Sequence, residues 1–475
     1  MYNTPLLTDF YELTMAQGYF LLEKNPQVVF DMFFRRQPFD GGFSVFAGLE
    51  DLLSRLVHLR FADKDLEYLE AQGTFRPEFL DFLKAYRFSG DLYAMDEGTL
   101  VFPGEPLIRV HTSLIEAQLI ESLLLNIINF QTLIATKSAR LYNTTRGGRI
   151  LEFGLRRAQG IDGALSAARA AYIGGASATS NTMAGKNYGI PVSGTMAHSW
   201  IMSFDSELEA FRAYAQIYPD NAVLLIDTYD TLGSGIANAI TVGLEQKEKG
   251  KRIGVRLDSG DLQYLSVRVR EKLDKAGLQD AIICVSNDLN EEVIWQLVSN
   301  NAPIDLWGIG TQLVTGGYDS SLTGVYKLAA RENGGVMTPT IKVSDNPEKI
   351  TNPGIKQVYR FYDENQAPLG DLIGFEDEAM ETGRTYRFNH PMYRFKYFRL
   401  SQYSRVEPLL RKRISRGKAV LPPLPLTNLR SRVIRDLETL DPTHKRLINP
   451  HIYKVSLSDA LRDLKFDMIG DRSND

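Results

Sequence analysis

From about residue 149 to 330 one pattern repeats, and it constrains the fold more than any other feature of the chain: a short apolar run, a polar loop rich in Gly, Ser, Asp or Asn, then a helical stretch. The runs are "RILEFG" (149–154), "IPVSG" (190–194), "AVLLIDT" (222–228), "RIGVRLDSG" (252–260), "AIICVSND" (281–288) and "IDLWGIGT" (304–311). From the third onward they begin roughly 25 to 30 residues apart, the spacing of βαβ units whose parallel sheet is covered on both faces. Between them "GIANAITVGLEQKEKG" and "DLQYLSVRVREKLDKAG" read as amphipathic helices stopped by Gly250 and Gly277. The pattern predicts an α/β fold built on an irregular or incomplete (β/α) barrel, in which active groups sit where strands end.

Outside that region the pattern changes. "GDLYAMDEGTLVFPGEPLIRVHTSL" alternates and is broken by Gly and Pro, as hairpin strands are, and "LIEAQLIESLLLNIINFQTLIATKSARLY" reads as one long, largely buried helix. We therefore expect an N-terminal α+β domain over 1–145, the barrel over 146–350 and a mixed C-terminal region over 351–475 packing on the other two. In the last of these, "LLRKRISRGKAVLPPLPL" (409–426) reads as a connection to a helical tail.

At 475 residues and 44% hydrophobic the chain can bury more than one core. A net charge of -4 leaves no global footprint for nucleic acid or membrane, so small-molecule chemistry is the better expectation. The single cysteine, Cys284, excludes an intrachain disulfide framework and suits a reducing compartment. Asp9 and Glu12 stand where a secretory signal would need a cationic start and an apolar stretch, and no run approaches the roughly 18 apolar residues of a membrane span. A cytoplasmic location is expected.

The polar residues of interest cluster at strand ends. In "VRLDSGDL" (255–262), Arg256 and Asp258 are two apart and point to one side, with Ser259, Gly260 and Asp261 in the turn. The Arg is a fork for carboxylate or phosphate, and the Asp suits Mg²⁺ or a ribose hydroxyl. A surface ion pair capping the next helix is the plainer alternative. "LLIDTYDTL" (224–232) adds Asp227 and Asp230, either helix caps or, with Asp258, a hard-oxygen environment for Mg²⁺. "WGIGTQLVTGG" (307–317) offers Gly308, Gly310 and Thr311 as a phosphate cradle, with "VSND" (285–288) as its wall. "EFGLRRAQG" sets Phe153 beside Arg156 and Arg157, and "FFRRQPF" repeats the theme with Arg35 and Arg36. Each pair is either solvated surface or a place to stack a flat anionic ring. Finally, "GTMAHSWIMSF" places His198, one of six histidines, behind Gly194 and Thr195 at another such end. It is either a core histidine satisfied by a carbonyl or a group with phosphate or proton chemistry.

Seven stretches, "TDFYELTMAQGYF" near the N-terminus with "FFRRQPF", "FGLRRAQG", "GTMAHSW", "DTYDT", "RLDSGDL" and "GIGTQLVTG", resemble the nicotinate phosphoribosyltransferase family in order and spacing. The resemblance implies a type II phosphoribosyltransferase, usually a homodimer with active sites at the interface. Its reaction would join nicotinate to phosphoribosyl pyrophosphate, with Mg²⁺ and with coupled hydrolysis of ATP. By resemblance, Tyr11 and Phe153 would stack the pyridine ring, while Arg256 and Thr195, with Arg156 close by, would hold its carboxylate. Asp227 and Asp258 would face Mg²⁺ and the ribose, Gly310 and Thr311 the 5′-phosphate, and Arg36 the pyrophosphate. Ser259, Gly260, Asn287 and Gly308 would complete the phosphoribosyl pyrophosphate site, and the family's phosphorylated histidine falls on His198. Asn181 stands where nicotinamide-using relatives carry aspartate, which favours a carboxylate substrate. Asp230, Asp261, Arg35 and Arg157 are left as supporting or merely structural.

Three other readings remain open at this level. A phosphoribosyltransferase for nicotinamide or quinolinate would share most of the site. A phosphate-binding barrel lyase would need a Schiff-base lysine, for which Lys327 in "GVYKLA" is the candidate. A non-catalytic nucleotide-binding protein on the same fold would bind without turnover.

Overall fold

The apolar runs become strands because their side chains are buried on both faces. In the computed structural model, which describes residues 5–472, Val223–Leu225, Gly254–Leu257, Ile282–Val285 and Leu306–Ile309 are buried almost throughout. Arg256 is the half-buried exception in its strand. With Arg149–Glu152 and Ala178–Thr179 they form one six-stranded sheet. The order across it is Ala178–Thr179, Arg149–Glu152, Leu306–Ile309, Ile282–Val285, Gly254–Leu257, Val223–Leu225, and every pair is parallel. Helices Ile236–Lys247, Leu262–Lys275 and Glu291–Ser299 connect the later strands, as βαβ crossovers require. Asp261 and Asn290 cap the last two, accepting from the backbone N–H of Tyr264 (3.1 Å) and Val293 (2.9 Å). The sheet does not close into a full barrel.

One strand falls elsewhere than the apolar pattern places it. "IPVSG" contributes only a single bridge, Val192 to Thr179, and the sheet's edge strand is the preceding Ala178–Thr179. Pro191 lacks an N–H and enters the pairing only through its carbonyl, accepting from Thr179 at 3.0 Å, so the run cannot extend as a ladder.

The chain divides into two compact units, Ile134–Ser320 and a second made of Met1–Leu133 with Ser321–Asp475. The second unit holds a seven-stranded antiparallel sheet ordered Val336–Pro339, Gly324–Asn333, Gln27–Phe34, Ile108–Ser113, Asp91–Ala94, Arg411–Ser415, Lys418–Ala419. A six-stranded mixed sheet of C-terminal strands belongs to the same unit. Gly324–Asn333 pairs with Gln27–Phe34, and Arg411–Ser415 with Asp91–Ala94, so the segment 409–426 begins as a strand rather than a connection. Such pairings join residues some three hundred positions apart, and no local pattern encodes them. The long apolar helix is interrupted at Ile120, giving Leu114–Leu119 and Glu121–Thr144. Among the described residues no helix is long and apolar enough to cross a membrane.

In the parallel-sheet unit, Glu291 opens the helix that follows the 286–290 loop and receives Lys137 at 2.6 Å and Arg140 at 3.1 Å, all three side chains being less than a tenth exposed. Burial works against the carboxylate, but the two cations outweigh it and hold its pKa below the ordinary value. Glu291→Gln is expected to cost about 3 kcal/mol, because two buried cations lose their shared carboxylate. The urea midpoint reads this, and a loss under about 1 kcal/mol would contradict it. Because the folded pKa is depressed, the contribution is complete above the usual carboxylate range and is lost as pH falls through the lowered value.

Candidate active site at the strand ends

The parallel sheet collects its polar residues at one edge, since each carboxyl end runs directly into a polar loop. Phe153 follows strand Arg149–Glu152, Asn181 follows Ala178–Thr179, and Asp227 follows Val223–Leu225. Asp258 follows Gly254–Leu257, Ser286 and Asn287 follow Ile282–Val285, and Gly310 and Thr311 follow Leu306–Ile309. In open α/β sheets this is where ligands bind.

Arg256 is the hub. Its Nε donates to Ser286 Oγ (2.8 Å), one terminal nitrogen to Thr195 Oγ1 (2.9 Å) and the Met196 carbonyl (3.3 Å), and the other to Asp258 Oδ1 (2.8 Å). Four of the five guanidinium N–H groups are thereby used, leaving one outside these bonds. The guanidinium carbon also lies 5.8 Å from the centre of the Phe153 ring. Gly308 makes room for that ring, for a Cβ there would lie 2.8 Å from two of its carbons.

Asp258 accepts from the Ser286 hydroxyl as well as from Arg256, and its Oδ2 lies 3.8 Å from His198 Nε2. Burial raises its pKa, yet Ser286, Arg256 and His198 outweigh burial and hold the carboxyl below the usual range. His198 opens the short helix His198–Met202, and its Nδ1 is 3.1 Å from Thr228 Oγ1. Asp227 Oδ2 accepts from the Asp258 backbone N–H (2.9 Å) and from Ser259 Oγ (2.6 Å), while its Oδ1 is buried without a hydrogen-bond partner. Among the described residues no group of three or more His, Cys, Asp or Glu could hold a metal. The edge offers instead a carboxylate pair with one unsatisfied buried oxygen, which fits a hard cation that takes its remaining ligands from phosphates and water.

Phe153, Thr195, His198, Asp227, Arg256, Asp258 and Ser259 are therefore brought into one connected cluster. Asn287 adjoins it, exposed, with φ at 101°, a conformation that costs a non-glycine residue about 1–3 kcal/mol and is commonest at functional sites. Gly260, exposed, lies in the turn after Ser259, and Thr311 opens a short helix after Gly310. Asn181 is 3% exposed and engaged as a cap: Oδ1 accepts from Ala184 N–H (3.1 Å) and Nδ2 donates to the Ala164 carbonyl (3.4 Å). Arg156 and Arg157 are exposed on the turn Leu155–Arg157, and Asp230 and Asp261 are helix caps.

Tyr11 and Arg36 belong to the other unit, as does Arg35. Tyr11 is half exposed, its hydroxyl pushed up to about 12 by burial and by Glu121, Glu12 and Asp9. Lys327 is no strand-end lysine of the parallel sheet. It sits on the antiparallel strand Gly324–Asn333, where Nζ donates to the Tyr326 carbonyl at 2.8 Å and Glu121 stands at 4.0 Å, which removes the motive for a Schiff-base reading. Thr228 and the buried Glu152, which accepts from Thr179 and the Gly154 N–H, join this edge although the sequence singles out neither, and Ser286 lies within the 285–288 wall without being named there. Ser286 was findable as the first polar residue after an apolar run.

The chain matches three family models: the nicotinate phosphoribosyltransferase N-terminal domain over 6–129, the nicotinate phosphoribosyltransferase family over 149–364, and the corresponding C-terminal domain over 355–465. Nicotinate phosphoribosyltransferase of Bacillus subtilis (strain 168) is 44% identical over 463 residues, covering 96% of this chain and 93% of the relative. The Homo sapiens enzyme of that name is 35% identical over 520 residues, 97% of this chain and 96% of the relative. The crystal structure of human nicotinic acid phosphoribosyltransferase superposes with a TM-score of 0.85 at 32% identity, covering 97% of this chain and 99% of that one. A nicotinate-nucleotide pyrophosphorylase from Pyrococcus furiosus shares the fold, with a TM-score of 0.71 at 20% identity over 92% and 96% of the two chains.

Proposed function

We propose a reaction from one premise: this chain belongs to the nicotinate phosphoribosyltransferase family. The strand-end cluster joins nicotinate to 5-phosphoribosyl 1-pyrophosphate, giving nicotinate mononucleotide and pyrophosphate, the entry of nicotinate into NAD salvage. ATP hydrolysis is coupled to it through a phosphohistidine at His198.

The single observation that carries the reading is the Arg256–Asp258–Ser286–His198 network, which sets a cation, an ionised carboxylate and an imidazole on one rim. Displacing pyrophosphate from the ribose C1 passes through an oxocarbenium-like state. The protein must therefore hold both reactants and neutralise the leaving group, and it needs no strong base. Phe153 stacks the pyridine ring, while the free Arg256 N–H, with Thr195, orients the carboxylate and aims the ring nitrogen at C1. Gly308, Gly310 and Thr311 face the 5′-phosphate, and Ser259, Gly260 and Asn287 line the phosphoribosyl side. Asp227 and Asp258 would hold Mg²⁺, which when bound would supply positive charge to offset that of the leaving pyrophosphate. Tyr11 and Arg36 act from the partner subunit of a homodimer, on the ring and the pyrophosphate. In the coupled step a lone pair of the neutral His198 imidazole attacks the γ-phosphorus of ATP, the bond to ADP oxygen breaks, and the new dianion reshapes the rim.

Asn181 favours nicotinate because it is neutral. An aspartate in its place keeps the helix cap but puts a charge behind a pocket for a carboxylate. Asn181→Asp is expected to lower the nicotinate-to-nicotinamide ratio of kcat/KM by about tenfold or more. An unchanged ratio would sink this assignment.

The reaction itself is tested by incubating the protein with nicotinate, phosphoribosyl pyrophosphate, Mg²⁺ and ATP and following mononucleotide and ADP together, with nicotinamide and quinolinate in parallel. Mononucleotide from nicotinate with matching ADP is expected. Product from another pyridine would reassign the substrate, and no product from any would leave a binding protein on this fold.

A further inference from the structure

A cavity of about 370 Å³ lies in the antiparallel unit, between the 96–100 turn, the strands Lys356–Tyr362 and Arg405–Pro408, and the helix Leu426–Thr439. No residue of the parallel-sheet unit lines it. Five arginines do: Arg360, Arg405, Arg411, Arg432 and Arg435. Against them stand three carboxylates, Asp96, Glu407 and Asp436, an excess of two positive charges.

The carboxylates are overcommitted. Asp96 alone meets Arg432 at 3.0 Å, Arg411 at 3.7 Å and Arg413. Glu407 meets Arg405 at 2.7 Å and Arg411 at 3.9 Å while accepting from the Tyr362 hydroxyl. Arg360 is held separately by the buried Asp371 at 2.6 Å. Arg432 shows the strain of this arrangement, its pKa lowered chiefly by burial, with Arg435 and Arg411 adding to the effect against Asp436. Burial also pushes the Asp436 carboxyl upward, against the arginines around it.

We propose that this cavity is a second binding site, for a phosphate-bearing anion, with Arg432 at its floor and Arg405, Arg411 and Arg435 at its mouth. Guanidinium forks match phosphate oxygens in pairs, and Arg405 is already oriented by stacking 3.8 Å from the centre of the Tyr362 ring. The volume is at the small end of ligand pockets, enough for a phosphate with a substituent. Only Leu100, Pro368 and Leu409 of its lining are apolar, which disfavours a lipid-like ligand. The inference does not rest on the proposed reaction.

Crystals of the full chain soaked in tungstate, a phosphate analogue located by its anomalous scattering, test it directly. The expected result is a tungstate within hydrogen-bond reach of Arg432 that disappears in the Arg411→Gln, Arg435→Gln double variant. Both substituted side chains are more than half exposed, so the fold should survive their change. An empty cavity in the wild-type crystal overturns the proposal. Calorimetric titration then separates the sources. ADP binding weakened at least about tenfold by the double variant would identify a nucleotide phosphate, and the same loss for inorganic phosphate alone would identify the free ion. Neither readout involves mononucleotide formation, so a failure here leaves the catalytic proposal standing, and the reverse.

Discussion

His198→Ala is expected to abolish ATP coupling while sparing the transfer itself. Wild-type protein should release about one ADP per mononucleotide and gain an acid-labile phosphoryl group from ATP; the variant should do neither. If phosphorylation reshapes the rim with a coupling of the usual size, ATP stimulation of about 5- to 150-fold falls to none. The residual, ATP-independent rate should equal that of wild type without ATP, because the proposed mechanism uses the imidazole only in the coupled step. Structure supplies the control. The His198 side chain is 41% exposed, and Asp258 keeps its bonds to Arg256 and Ser286 when the ring is removed. The melting temperature should therefore move by no more than a degree or two. A His198→Ala protein that still couples ADP release to product would exclude this histidine as the phosphoryl acceptor.

The second large effect is expected at Arg256. Arg256→Ala removes the donors that hold Ser286, Thr195 and Asp258 together as well as the one N–H proposed to hold the substrate carboxylate. Losing a charge-assisted contact inside such a site costs about 3–4 kcal/mol of transition-state binding, so kcat/KM for nicotinate should fall roughly 10²- to 10³-fold. Lysine should not restore it, because a point charge cannot reach three partners in different directions. A pH profile separates this from simple misfolding. The guanidinium helps to hold Asp258 below the ordinary carboxylate range, so activity that needs the ionised form persists in wild type as pH falls until that lowered value is passed. Without Arg256 the carboxyl should titrate higher, and the acid limb of kcat/KM should move to higher pH. A variant with the wild-type acid limb would show that Asp258 is not the group that ionises there.

Much of the strand-end rim was legible in the chain. Apolar runs ending in "LDSGD", "IDTYD" and "GIGT" mark buried parallel strands, and the first polar residue after each must emerge at the same edge, so Asp227, Asp258 and Thr311 could be assigned together. In "AIICVSND" the first polar residue is Ser286, whose hydroxyl bridges Arg256 and Asp258, whereas the family resemblance singles out its neighbour Asn287. Which neighbouring loop residue turns inward depends on the strand's last pleat, a matter of one residue that burial decides and composition does not. Asn181 was marked only by the family resemblance, and its use as a buried helix cap follows from the helix that begins at Thr182.

The sequence by itself marked five of the six strands of the parallel sheet and the polar edge they share, because period, spacing and strand-end polarity are local properties that each segment carries alone. Tertiary structure decided what those segments join. Gly324–Asn333 leaves the α/β region for an antiparallel sheet with Gln27–Phe34, and Arg411–Ser415 closes on Asp91–Ala94. It also decided that five arginines, scattered from 360 to 435, surround one cavity with too few carboxylates. The reason is the same in each case: hydrogen-bond ladders and buried charges are settled by partners distant in the chain, whose pairing appears only once the backbone has brought them within a few ångströms.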